Sequence, residues 1–409
     1  MKTLWRWLRR IALGVLVFAA LVWAVISFAP GFGGTPSGER LARMQRSPQW
    51  QGDRFVNPQA MWSGFGVVGR DDHAPTAEAG FKPPPDPTDA SFPMVHDSAA
   101  RLAAPVRDGL RVTWFGHSSA LVEIDGARVL IDPIWSQTAT PLWIGVSRWF
   151  KPLLPLDALR DVDAVVISHD HYDHLDMPTI RAMRDWKTRF IVPLGIGAHL
   201  ERWGIPPERI TELDWWEDTQ LGDVRIVATP ARHATGRVNP QRNRVLWAGY
   251  ALVGPKHRAW YSGDTGLLDA MQEIGRRFGP FDVTLIESGQ YNWQWPDWHA
   301  GPEQAVLAHR WVRGRTFIPV HWALFNLAPH GWTEPGERTL AAAACQGVNI
   351  ATPRPGVPWE PGDATAPWWP RDLPWLDANQ RPIIATRDGI DAHRYPVPAC
   401  ITPAIAAAK

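Results

Sequence analysis

The chain opens on one long apolar block and only later settles into the short-period alternation of a folded domain. Ile11 to Ala29 are nineteen residues without a charge, and Lys2, Arg6, Arg9 and Arg10 precede them. At about 1.5 Å per residue this helix is about 28 Å long, enough to cross a hydrocarbon core. Ser27-Phe28-Ala29 runs into Pro30, a poor context for signal cleavage, so residues 1–30 read as a retained single-pass anchor. The basic residues ahead of it keep the N-terminus cytoplasmic and carry the rest of the chain across the membrane.

Residues 31–109 read as a tether and extended wrap, polar at first and then rich in proline at Pro83-Pro84-Pro85-Asp86-Pro87. Regular alternation begins near Arg111. Strands are expected over 112–114, 120–124 and 128–131, with Asp125-Gly126 as a hairpin turn. Further strands are expected over 164–167, 189–192, 224–228, 245–252, 258–261, 283–286 and 316–320. Helices are expected over 178–186, 196–203, 266–278 and 302–313. Hairpins followed by strand–helix units predict a layered α/β domain over about 110–355. The remaining 356–409 form a Pro/Trp-rich extension, with no pattern for a domain of its own.

Composition narrows the function. Forty-two basic against 41 acidic residues leave a formal charge of +1, with no basic block after the N-terminus. A nucleic-acid partner is therefore not expected. Cys345 and Cys400 are the only two cysteines, so there is no disulfide framework, and whether they pair is open. Twenty-five tryptophans suit a membrane interface or an apolar groove, and equally suit plain core packing. Oligomeric state cannot be read from these features.

The densest chemistry is Ser168-His169-Asp170-His171-Tyr172-Asp173-His174-Leu175-Asp176, directly after the apolar run 164–167. Four candidate ligands, His169, His171, Asp173 and His174, fall within six residues. Imidazole and carboxylate are the ligands that divalent transition metals prefer. His233, Asp264 and His321 each follow an expected strand, where loops carry chemistry on a rigid scaffold. Together they make two ligand sets: His169, His171 and His233 for one ion, Asp173, His174 and His321 for the other, with Asp264 able to bridge. An all-His/Asp set favours two Zn2+, with Mn2+ or Fe2+ able to use the same ligands.

The order His-x-His-x-Asp-His, then His, Asp and His, resembles the metallo-β-lactamase superfamily. More narrowly, it resembles the branch of N-acylphosphatidylethanolamine-hydrolysing phospholipases D, and within it a bacterial subgroup. Thr113-Trp114-Phe115-Gly116-His117-Ser118-Ser119, Ile131-Asp132-Pro133-Ile134-Trp135-Ser136 and Ser262-Gly263-Asp264-Thr265-Gly266 carry that likeness beyond the metal loop. The resemblance implies a four-layer αββα sandwich with two zinc ions at one edge of the sheets. It implies a hydrolase acting on a membrane lipid or a small phosphodiester or ester; in a bacterial inner membrane, the orientation read from the basic N-terminus puts the catalytic domain on the periplasmic side. It also places His299 near a substrate phosphate. Asp173 is expected to accept a proton or hydrogen bond from the nucleophile, Asp132 to orient a ligand histidine, and His117 to support the site from behind. His199, His257, His309 and His330 are expected on the surface or in packing. The alternatives are a lactonase or esterase on the same scaffold, or a non-hydrolytic metal-binding protein.

Overall fold

Successive strand residues point to opposite faces, so the near-continuous apolar runs of most long strands here give them two apolar faces, and that property selects a layered architecture. The computed structural model describes residues 2–62, 80–142, 144–237 and 242–396; the rest of the expected wrap at 63–79 and the end of the tail, Cys400 included, lie outside the described residues.

The first sheet sets β3 (Leu110–Trp114), β4 (Ala120–Ile124), β5 (Ala127–Ile131), β6 (Ala164–Val166), β7 (Arg189–Pro193) and β8 (Ile210–Leu213) side by side. The first three pair antiparallel and the rest parallel. Asp125 and Gly126 turn β4 into β5 with φ of 47° and 89°, the twist a two-residue hairpin needs. The second sheet runs β9 (Asp218–Leu221), β10 (Val224–Thr229), β11 (Gly249–Val253), β12 (Arg258–Tyr261), β13 (Phe281–Glu287) and β14 (Gly314–Val320). β15 (Pro358–Trp359) returns to pair with β3 at the outer edge of the first sheet.

Val122 of β4, Ile131 of β5, Ile226 of β10 and Leu285 of β13 meet in one core between the sheets. Their neighbours Leu121, Leu130 and Val165 turn outward onto a second core, with Ile180 of α4 (Met177–Ala182) and Leu200 of α5 (Gly197–Arg202). Val227, Ala251 and Trp260 likewise face a third, with α6 (Ala270–Phe278), α7 (Pro302–Trp311) and α8 (Glu334–Gln346). Helices, sheet, sheet, helices: this is the four-layer αββα sandwich.

The expected strand from Val245 begins only at Gly249, because Leu246 N–H donates to Leu194 O and Ala248 N–H to Ser168 O. Those residues brace the first sheet instead of pairing with β10. The helix expected from Gly266 starts at Ala270, and Gly266 N–H donates to Arg232 O beside the site.

Residues 31–55, expected as part of a tether, are packed. Met44 of α2 (Gly38–Gln45) and Phe55 of the small hairpin β1 (Trp50–Gln51) and β2 (Arg54–Phe55) enter the central core. Arg40 pairs with Glu201 at 2.7 Å and Glu212 at 2.8 Å. Farther along, α3 (Ser98–Leu102) leads into β3. The tail is packed too: Trp368 and Trp369 lie 5.5 and 5.1 Å from the Trp322 ring. By contrast, α1 (Lys2–Phe28) buries none of its apolar window, and from Thr3 to Phe28 it is long and apolar enough to cross a membrane.

Candidate metal centre

Six strands deliver the site from their C-terminal ends. β6 leads into the loop His169–Asp176, β10 to His233 and β12 to Asp264. Glu287 ends β13, His321 follows β14, and His117 follows β3. Ends from both sheets converge at one edge of the sandwich. His117 N–H donates to Trp322 O and His321 N–H to His117 O, each at 2.8 Å, so the two sheets are stitched together at the site itself. His117, Asp132 and His321 hold φ of 49°, 36° and 68°, left-handed conformations that packing must impose on non-glycine residues.

Three imidazoles form the first cluster. His171 Nδ1 lies 2.9 Å from His169 Nε2 and 3.3 Å from His233 Nε2. Nitrogens sharing a tetrahedral zinc ion sit about 3.3 Å apart, given zinc–nitrogen distances of about 2.0–2.1 Å. The second cluster gathers Asp173, His174 and His321 with His117. Asp264 Oδ2 lies 3.1 Å from Nε2 of both His174 and His321, and 3.7 Å from Nε2 of both His169 and His233. It therefore faces both clusters.

The outward nitrogens explain why the inward ones point as they do. Asp132 and the carbonyls of Trp298 and Gly289 can only accept, so His174, His233 and His321 carry their hydrogens on Nδ1, at 2.7, 3.0 and 3.3 Å. Nε2 then keeps its lone pair for a cation, the usual arrangement behind metal-bound histidines. Among the described residues, Nε2 of His174, Nε2 of His321 and Oδ1 of Asp264 are buried without any hydrogen-bond partner. Unpaired polar atoms of this kind are costly unless something binds them. The donors present fit divalent metal ions.

Burial pushes the imidazoles of His169 and His233 well below their ordinary pKa and that of His117 down to about 3. Burial acts in the same direction on His321 and His174, but the facing carboxylates Asp264 and Asp173 outweigh it and raise both, His321 to about 10. Burial would raise Asp173 and Asp264, yet neighbouring histidines hold both well below the carboxylate range. The centre thus keeps two ionised carboxylates among histidines able to give up a proton to an incoming cation.

His299 sits at the more open side. Its Nδ1 is 2.9 Å from Glu287 Oε2, and its ring stacks on His321 at 5.1 Å. Glu287 is a site residue that the motifs did not single out. Its other oxygen accepts from Thr265 N–H at 2.6 Å and Ala300 N–H at 3.0 Å. An acid closing the apolar strand β13 was the available signal. His117 is wholly buried, with Nε2 3.0 Å from Asp173 Oδ2. His199, His309 and His330 are buried away from both clusters, and His257 pairs with Asp125 at 2.7 Å.

The description of the family model that matches residues 127–322 is the beta-lactamase superfamily domain. An uncharacterized protein of Mycobacterium tuberculosis is 42% identical over 377 residues, covering 88% of this chain and 98% of that one. N-acyl-phosphatidylethanolamine-hydrolyzing phospholipase D 1 of Caenorhabditis elegans is 35% identical over 239 residues, 55% of this chain and 66% of that protein. A solved structure, a possible metal-dependent hydrolase from Veillonella parvula, superposes with a TM-score of 0.50 at 17% identity, over 61% of this chain and 98% of that one; it attests the fold. With two buried clusters at the sheet edge and these relatives, the chain belongs to the metallo-β-lactamase superfamily as a metal-dependent hydrolase.

Proposed function

We propose that this protein is a dinuclear zinc hydrolase of phospholipase D type, cleaving the phosphodiester of an N-acylated phosphatidylethanolamine or a related lipid at a membrane. The observation that carries this reading is Asp264, facing two histidines of each cluster, in a chain 35% identical to a protein named for that activity. Divalent ions held there would acidify a water towards neutral pH and offset negative charge on the reacting phosphate. Asp173, fixed by His117, stands ready to accept a hydrogen bond from that water. Glu287 holds Nδ1 of His299, which leaves Nε2 to meet a phosphate oxygen or to protonate the departing alkoxide. The oxygen of water would join phosphorus and its proton would leave with the alcohol, giving phosphatidic acid and an N-acylated ethanolamine.

The α1 helix would hold the centre at the bilayer, with its basic start on the cytoplasmic side and the catalytic domain in the periplasm. The partly exposed Trp293, Trp295 and Trp298 border the site through the Trp298 carbonyl on His233, and their rings suit acyl chains. Profiling of lipids and soluble phosphodiesters with zinc-loaded protein, against His171→Ala, tests the assignment. Release of phosphatidic acid by the wild type alone supports it. Turnover of lactones or carboxylic esters without any phosphodiester cleavage would replace it with the esterase reading.

A further inference from the structure

The exit of α1 is fastened to the catalytic domain. Arg202 Nη2 donates to Phe28 O at 2.9 Å and Trp203 Nε1 to Pro30 O at 2.8 Å. Arg237 donates to Gly31 O through Nε and Nη2, at 3.1 and 2.9 Å, while its Nη1 reaches Asp170 O and Leu175 O in the metal loop. One buried guanidinium thus joins the end of the helix to the loop that bears His169, His171, Asp173 and His174.

Beside this exit rises a second feature. Residues 137–142 and 144–148 flank a narrow excursion, closed at its base by Ala139 N–H to Val146 O and Arg148 N–H to Gln137 O. Its wall touches the helix exit so closely that a Cβ on Gly31 would lie 2.7 Å from Pro141 O. At its tip Leu142 is 43% and Ile144 81% exposed. Among the described residues outside α1, the only other large apolar side chains so exposed are Leu327 and Ile390. Two of these four side chains therefore sit at the root of α1, the one helix among the described residues long and apolar enough to cross a membrane.

We infer that Leu142 and Ile144 form a second membrane contact, dipping into the interface of the bilayer that α1 crosses. The inference rests on α1 being a membrane span. A helix fastened through Arg237 and a tip beside it define two points of contact, so the metal loop is held at a set height and tilt over the lipid.

Full-length protein in phosphatidylcholine–phosphatidylglycerol vesicles tests this, with an environment-sensitive fluorophore on Ile144→Cys, Ile390→Cys or Leu16→Cys and the unsubstituted protein as labelling background. Quenching of the Ile144 label by nitroxide lipid, with loss of the iodide quenching seen at Ile390, is expected. Lipid quenching at Leu16 with an iodide-accessible Ile144 overturns the tip contact alone. A label at Ile144 shielded from both quenchers overturns it as well, in favour of a second copy of the chain covering the tip. No lipid quenching at Leu16 removes the anchor reading, and the inference with it.

Discussion

Asp132 Oδ2 accepts from Nδ1 of His174 at 2.7 Å, with both side chains wholly inaccessible to solvent. The same carboxylate accepts from Ser168 N–H and Oγ–H, at 2.7 and 2.5 Å, and from the Tyr261 hydroxyl at 2.5 Å. Ser168 Oγ in turn lies 2.9 Å from His169 Nδ1. One residue on the loop after β5 therefore sets the ring orientation of a histidine in each cluster.

Asp132→Asn removes that charge and one acceptor without changing side-chain volume. Partners of this kind govern ligand basicity and orientation, so metal affinity should fall by roughly 10–100-fold. Competition against a chelator of known affinity measures it. Wild-type affinity in the variant would mean that Asp132 serves packing only.

Gly263 precedes Asp264 with φ of 60°, and a Cβ there would lie 2.7 Å from Ala248 O and 3.0 Å from Ser168 Cβ. Gly263→Ala must shift the metal loop or its brace, at a cost of about 1–3 kcal/mol. Thermal unfolding should show the loss, together with weaker metal binding. A variant with unchanged melting temperature and metal content would contradict the close approach.

Burial holds the His309 imidazole down at about 4, beside Thr284 Oγ1 at 2.8 Å. The unfolded chain takes up a proton near pH 6.5 that the folded chain refuses, so this contribution is complete above 6.5 and is lost as pH falls towards 4. At pH 5 it should have cost about 2 kcal/mol. Denaturant titrations of the wild type and His309→Gln at pH 7.5 and pH 5 isolate it: the drop between the two should be smaller in the variant. Equal drops would place the acid sensitivity elsewhere.

Trp293, Trp295 and Trp298 are partly exposed around the site, and Asp297 anchors their loop by accepting from Trp62 N–H and Thr386 N–H, both at 2.7 Å. Replacing the three tryptophans by Ala leaves that anchor and the Trp298 carbonyl in place. Activity on vesicle-borne phosphodiester should be lost while a small soluble phosphodiester is still turned over. Equal loss on both would assign these rings to the lid of a small-molecule pocket.

The strands were legible because the apolar runs at 120–122, 129–131 and 226–228 reflect two buried faces, and the metal loop because three histidines in six residues serve no ordinary turn. Other parts depend on distant partners. Glu287 acquires meaning only from His299, twelve residues on across a loop. Trp368 and Trp369 read as a loose tail until Trp322 is seen between them and the core. β9 spells Asp-Thr-Gln-Leu and α8 opens on Glu-Pro-Gly, sequences whose local preferences hide the element they join. Arg40 and Arg237, which pack the supposed tether, look like ordinary surface cations in the chain.

Elemental analysis of purified, unchelated protein bears most directly on the proposed dinuclear centre. The converging clusters around Asp264 predict close to two divalent ions per folded chain, and Asp264→Asn should lower both occupancies together. One ion or none in a folded sample would contradict the account.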